Sequence, residues 1–225
     1  MTSPLYVFDL DETLIAADSG VLWNQFMLEK GLVTDPAFLQ QDAYLMQQYA
    51  QGELDIDEYL AFCLAPLEGL PKHQVDEWVA ECVATRIAPE QFLQAKQLIS
   101  ELKQQDIDML IISATVSFIV HAVAKQLGIE HSLGIDVDST QGSYRADIVG
   151  VPSYREGKVV RLQQWLEAQG KTYSSVYFYT DSVNDVPMCE YADQAFLVNP
   201  CPRLQQYAQD KPWHHLAWHK PINVE

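Results

Sequence analysis

Three short apolar runs in this chain stop abruptly at polar residues. Residues 5–8 (LYVF) run into Asp9 and Asp11, residues 109–112 into Ser113, and residues 176–179 into Thr180 and Asp181. Residues 195–198 (AFLV) form a fourth run. Helical patterns lie between them over 90–104, 117–127 and 157–168, the last two closed by Gly128 and Gly170. Strand-like runs alternating with helices predict a parallel sheet covered on both faces, an α/β doubly wound Rossmann-like core. Such sheets bind ligands at the carboxyl ends of their strands, where the polar residues just named fall.

Residues 16–88 break this rhythm. They read almost wholly as helix, with no strand-like run of comparable strength. The expected organisation is therefore a core from residues 1–15 and 89–225, with 16–88 a helical cap inserted after the first strand. Residues 134–149 alternate around Gln141-Gly142 and predict a hairpin. Asp136 and Asp138 there imitate the first acidic pair but read as solvated strand positions.

Composition narrows the function. Of 225 residues, 48% are hydrophobic and 20% charged, as in ordinary globular proteins. A formal charge of −17 disfavours nucleic acid and anionic membranes as partners, while leaving room for a small anion held by a few local cations. No apolar run approaches the roughly 20 residues needed to span a bilayer. The start MTSPLYVFDL has neither a basic region nor a long apolar core, so no signal peptide is expected. Cys63, Cys82, Cys189 and Cys201 form no CxxC pair and read as structural thiols of a reduced, cytoplasmic protein. The sequence leaves the oligomeric state open.

Asp9 and Asp11 stand at i and i+2, which at a strand end can aim both carboxylates into one pocket. Acids that close repel unless a cation intervenes, or unless one keeps its proton as a general acid. A solvated acidic turn is the plain alternative. Other elements bring complementary groups. T-D-S-V-N-D carries Asp181, Asn184 and Asp185. S-A-T carries the hydroxyls of Ser113 and Thr115, with main-chain amides around Ala114 expected at a helix start, an anion site by geometry. Lys158 opens a helix, against the helix dipole, which points to another role than a solvated cation.

This ordered set resembles the haloacid dehalogenase superfamily of aspartate-nucleophile phosphatases, in its phosphoserine-phosphatase-like branch with a helical cap. The matching stretches are D-L-D-E-T at 9–13, I-I-S-A-T at 111–115, Lys158, D-S-V-N-D at 181–185 and R-I-A-P-E at 86–90. The resemblance implies that Asp9 attacks phosphorus and that Asp11 is the general acid and base. It implies Mg²⁺ held by Asp9, the Asp11 carbonyl and Asp181. Ser113, Ala114 and Lys158 would bind the phosphoryl oxygens, and Thr13, Asn184 and Asp185 would support the loops. The insert would be a lid, so a small phosphomonoester is the expected substrate.

The resemblance also assigns substrate contacts. Asp18 stands where the branch has an acid for a substrate ammonium, and Arg86 matches a cap arginine for a substrate carboxylate. The plain alternatives are a helix N-cap for Asp18 and a surface ion pair for Arg86. S-A-T replaces Ser-Gly-Gly and Thr180 replaces a glycine. Both departures imply a related but different ligand, an amino-containing phosphate of the histidinol phosphate or phosphoserine type. A phosphotransferase, a phosphatase of polypeptides and a non-catalytic phosphate- or metal-binding module are the competing readings. His214, His215 and His219 read as a packed C-terminal tail, and Trp23, Phe26 and Met27 as core more than pocket.

Overall fold

The short strands carry buried apolar side chains at successive positions, and so on both faces, which dictates a sheet sandwiched between helices. In a computed structural model, which describes residues 2–220, the chain opens with β1 (Leu5–Phe8) and then four helices, α1 (Ser19–Glu29), α2 (Phe38–Gln51), α3 (Ile56–Leu64) and α4 (Lys72–Cys82). It continues as α5 (Leu93–Gln104), β2 (Met109–Val116), α6 (Ser117–Leu127), β3 (His131–Ile135), α7 (Glu156–Gln169) and β4 (Val176–Thr180). It closes with α8 (Val186–Tyr191), β5 (Gln194–Val198), α9 (Pro202–Tyr207) and β6 (His214–Leu216). Residues 1 and 221–225, at the ends of the expected core segments, lie outside the described residues.

The strands are all parallel, in the order β3-β2-β1-β4-β5-β6. Phe8, Ile111 and Tyr179 face α5, α6 and the early helices, in one apolar cluster. Leu5, Val7, Leu110, Ile112 and Phe178 point the other way, onto Leu162 of α7, Met188 of α8 and Leu204 of α9. Burying each such side chain stabilises the fold by about 1.5–3 kcal/mol.

Helices α1–α4 are not a detached unit. Trp23, Phe26, Met27, Leu60 and Val79 belong to the same apolar cluster as Phe8 and Ile119. Trp23 and Phe26 stack at 5.7 Å. The outgoing and returning chain touch where Ala16 N donates to Glu90 O (2.8 Å) and Phe92 N to Leu14 O (3.1 Å).

The structure adds two strands that the residues did not announce. β3 begins with His131 and Ser132, too polar to read as an apolar run. β6 comes from the histidine-rich tail, where the His214 ring stacks on Phe196 at 4.7 Å and Trp218 packs against Phe92 and Tyr179. The hairpin expected over 134–149 shrinks to one antiparallel bridge, Val137 to Ile148, because β3 takes residues up to Ile135 into the parallel sheet. Asp136 is no solvated strand position. It pairs with Arg161 at 2.7 Å. All four cysteines are free, and no helix among the described residues is long and apolar enough to cross a membrane.

β3 approaches the end of β2 closely. A Cβ on Gly134 would lie 2.6 Å from Ser117 Cα and 2.7 Å from Thr115 O, both main-chain atoms that cannot swing aside. Gly134→Ala is expected to cost about 1–3 kcal/mol, the usual range for overpacking, measurable as a lower urea midpoint. An unchanged midpoint would mean that β3 is free to move off β2.

Candidate active site

β1 pairs with both β2 and β4, with Phe8 opposite Ile111 and Tyr179. The residues that follow these three therefore lie side by side at one edge of the sheet. This is also where the winding reverses, since the chain runs from β1 outward to β3 and then from β4 outward to β6. Doubly wound sheets open a crevice at that reversal. A cavity of about 320 Å³ lies there, lined among others by Asp9, Asp11, Asp18, Ser113, Ala114 and Asp181.

Asp9 is 4% exposed and Lys158 and Asp185 are each 1% exposed. Lys158 Nζ donates to Asp9 Oδ1 at 2.8 Å and lies 2.7 and 2.8 Å from the two oxygens of Asp185. Helical side chains lean toward the helix N-terminus, which directs Lys158 from the first turn of α7 back to the strand ends. Thr180 Oγ1 donates to Asp185 Oδ2 at 2.7 Å, a partner that glycine would not supply. Lys158 thus stands behind Asp9 and not on the cavity wall.

Asp11 is held by three donors. Ser19 N reaches Oδ1 at 2.6 Å, while Thr115 Oγ1 and Ser113 Oγ reach Oδ2 at 2.8 and 3.3 Å. The main chain at Ser113 is fixed in turn by Ser153 Oγ, 2.6 Å from its carbonyl. Thr13 Oγ1 donates to Asp181 Oδ1 at 3.2 Å. Asn184 Nδ2 crosses to the carbonyl of Tyr49 in α2, at 3.0 Å.

Burial pushes the Asp9 carboxyl up to about 7 despite the opposing pull of Lys158, with Asp185 and Asp11 adding to the rise. Asp181 is raised well above the usual carboxylate range by burial, then by Asp9, Asp185 and Glu12. Such crowding of acids around a single cation is the environment of a hard divalent ion with oxygen ligands. Among the described residues no three His, Cys, Asp or Glu side chains are placed to hold a metal ion by themselves. Two carboxylates, Asp9 and Asp181, with a main-chain carbonyl at Asp11, are what the site offers, and they fit such an ion.

Asp18 is the N-cap of α1, its Oδ1 accepting from Val21 N at 2.8 Å, and its side chain also reaches the cavity. Burial, then Asp11, raises its carboxyl well above the usual range. Arg86 does not join the site. It sits on a π-helical turn, Val83–Ile87, and pairs with Glu29 at 2.5 Å with both side chains about half exposed, so the plain alternative holds. The helix expected directly behind Ser113 begins only at Ser117, because β2 continues to Val116. Ser113, Ala114 and Thr115 therefore present a strand end and not a helix terminus.

The residues had not marked Tyr49, Tyr59, Ser153 or the bonding role of Thr180. Tyr49 was within reach: Phe38, Asp42 and Leu45 are the buried positions of α2, and Tyr49 continues their spacing. Five of the lining residues are acidic (Asp9, Asp11, Glu12, Asp18 and Asp181), and none of the described lining residues is Lys, Arg or His.

The profile of the haloacid dehalogenase-like hydrolases matches residues 6–190. A histidinol-phosphatase of Neisseria meningitidis serogroup C is 36% identical over 213 residues, 93% of this chain and 96% of that one. A probable phosphatase of Mycobacterium tuberculosis is 28% identical over 96% of this chain and 76% of its own. Among solved structures, a Bordetella pertussis Tohama I protein of unknown function superposes with a TM-score of 0.87 at 34% identity, covering 96% of this chain and 99% of that one. A substrate-bound phosphoserine phosphatase gives 0.68 at 18% identity, with 92% and 90% covered, and so shares the fold.

The raised carboxyl of Asp9 sets a pH dependence. Between its unfolded value of 3.8 and about 7 the folded chain keeps a proton that the unfolded chain has released, so stability falls as pH rises through that window. Without divalent ions, the melting temperature is expected to drop from about pH 5 to about pH 8, and Asp9→Asn to flatten part of the drop, at about 2–4 °C per kcal/mol. A wild-type profile that rises over this interval would contradict the burial argument.

Proposed function

The chain belongs to the haloacid dehalogenase-like hydrolases, and we propose that it hydrolyses a small, ammonium-bearing phosphomonoester, best matched by histidinol phosphate, through an aspartyl-phosphate on Asp9. The observation that carries the substrate reading is the charge of the cavity. Five acids and no described cation line it. An ammonium group on the substrate finds Asp18 there. A substrate carboxylate finds no partner, and burying one unpaired is costly. Arg86, the residue assigned to such a carboxylate by resemblance, is occupied by Glu29. This separates histidinol phosphate from phosphoserine, and the Neisseria histidinol-phosphatase supports the same choice.

The chemistry follows from how each side chain is held. Lys158 fixes Asp9 Oδ1, which leaves the other carboxylate oxygen for in-line attack on phosphorus. A carboxylate nucleophile divides a difficult hydrolysis into two easier displacements. Asp11 gives a proton to the leaving oxygen, then removes one from the water that attacks the acyl phosphate. Its bonds to Ser19 N and Thr115 keep it turned from Asp9, so that the two acids meet different oxygens. Ser113 and the main chain at Ala114 line the cavity beside Asp9 and receive the phosphoryl oxygens. Lys158, bonded to Asp9 and Asp185 from behind the cavity, acts on the phosphoryl group by its charge and by the hold it keeps on Asp9. Mg²⁺ bound by Asp9, the Asp11 carbonyl and Asp181 would supply the positive charge that lets an anionic ester approach these acids. Helices α1–α4 serve as the lid. Val21 of α1, Met46 and Tyr49 of α2 and Ile56 and Tyr59 of α3 form its wall over the cavity, which excludes bulk water.

Phosphate release from histidinol phosphate, phosphoserine and glycerol phosphate, each with Mg²⁺ and with EDTA, tests this. Histidinol phosphate is expected to exceed phosphoserine in kcat/KM by at least about tenfold, the worth of roughly 1.4 kcal/mol. Asp18→Asn should erode that preference while sparing glycerol phosphate, and Arg86→Ala should treat all three alike. A preference for phosphoserine, abolished by Arg86→Ala, would refute the substrate reading.

A further inference from the structure

We propose that Tyr49 is a further catalytic residue of this site, its phenol donating a hydrogen bond to the phosphoryl group of the bound ester, and that Arg155, Asn184 and Arg203 are positioning residues that hold it there. The inference rests on the phosphatase reading above and goes beyond it.

Tyr49 shares the cavity wall with Asp9, Asp11, Ser113 and Asp181. Its phenol makes no hydrogen bond among the described residues, whereas its main-chain carbonyl is bonded by Asn184. Of the other hydroxyls on this wall, Ser113 and Thr115 donate to Asp11, from which Ser113 must turn to meet a phosphoryl oxygen, and Ser182 accepts from Asn184 N. A free donor thus faces a cavity that holds five acids and to which the substrate brings phosphoryl oxygens. Burial, then the charges of Asp9, Asp185 and Asp181, pushes the phenol further up, so it keeps its proton and serves as donor only. No proton moves to or from it in this role.

The backbone around Tyr49 is gripped unusually well. Helix α2 ends in Gly52 at φ 67°, a left-handed cap. The carbonyls of Gln51 and Gly52 accept from the guanidinium groups of Arg203 and Arg155. Those carbonyls form the negative end of the helix, so two cations and an amide complement both their lone pairs and the dipole. A Cβ on Gly52 would lie 3.3 Å from Arg203, 3.4 Å from Arg155 and 3.5 Å from Asn184, which shows all three converging on one point. Arg155 itself adopts φ 52° and ψ −124°, a conformation disfavoured for residues other than glycine.

Two of the three gripping residues flank the catalytic side chains directly, and the third, Arg203, stands at the start of α9. Arg155 precedes Lys158 by three positions, and Asn184 lies between Asp181 and Asp185. Arg203 follows Cys201, whose amide donates to the carbonyl of Asp181 at 2.8 Å. The Tyr49 ring also rests against Tyr154 at 5.9 Å, beside Arg155. The phenol is therefore positioned relative to the same loops that carry the nucleophile and its supporting acids.

Tyr49→Phe removes only the hydroxyl. Assayed with Mg²⁺ on p-nitrophenyl phosphate and on histidinol phosphate, it is expected to lower kcat about 10- to 100-fold. The factor should be the same on both esters, because the phosphoryl group is what they share. Inhibition by orthovanadate should weaken in parallel, with the melting temperature unchanged. Arg203→Ala should also lower kcat, and its effect should vanish when combined with Tyr49→Phe, as expected of groups acting through one contact. Wild-type kcat in Tyr49→Phe, or a loss confined to KM on one ester, would overturn the catalytic role. An Arg203→Ala loss that persists beside Tyr49→Phe would overturn the positioning role. A wild-type chain that cleaves neither ester would instead refute the phosphatase reading, and this inference with it.

Discussion

One buried ammonium organises the site. Lys158 stands between Asp9 and Asp185 and joins β1, α7 and the loop after β4. Taking a charge that deep out of water is tolerated only when it is paired and hydrogen-bonded, and removing one partner of such a set typically costs about 3–5 kcal/mol. Thr180 completes it by donating to Asp185. The threonine that replaces a glycine at this point is thus part of the scaffold of the charge cluster. Asp9 is left with one oxygen fixed and the other facing the cavity.

The second carboxylate is governed from elsewhere. Asp11 takes its donors from the end of β2 and from the first amide of α1. The acid proposed to handle the proton is thereby tied to the first helix of the insert. Asp18, one residue earlier, both starts that helix and brings a carboxyl to the cavity. On the proposed reading, helix capping and substrate choice come from one side chain, because a capping oxygen leaves its twin free to face the ligand. The insert and the sheet share one apolar cluster, so these polar contacts are backed by packing on both sides.

Much of this arrangement could be read in the residues, and the failures have physical reasons. The acids and hydroxyls that end 5–8, 109–112 and 176–179 mark the crevice, because adjacent parallel strands in register bring their next residues together. Lys158 stood out because a lysine in the first turn of a helix opposes the dipole unless acids compensate. β3 and β6 escaped notice because edge strands bury one face only partly and carry polar residues, His131 and Ser132 in one and His214 and His215 in the other. Arg86 looked functional by its place in the chain, but which way a side chain leaves a helical turn depends on packing that local sequence does not specify. It leaves toward Glu29. Tyr49 looked like one more core aromatic, since periodicity tells which face of α2 turns inward and not that its last turn overhangs a cavity.

The central claim is that Asp9 bonds covalently to phosphorus. Quenching the enzyme in acid during turnover of a phosphomonoester and reducing with borohydride cleaves an acyl phosphate and turns the aspartyl residue into homoserine, which peptide mass spectrometry locates. The account predicts homoserine at position 9 alone, only when ester is present. Reduction at Asp11, or product release with no reducible acyl phosphate at Asp9, would contradict it.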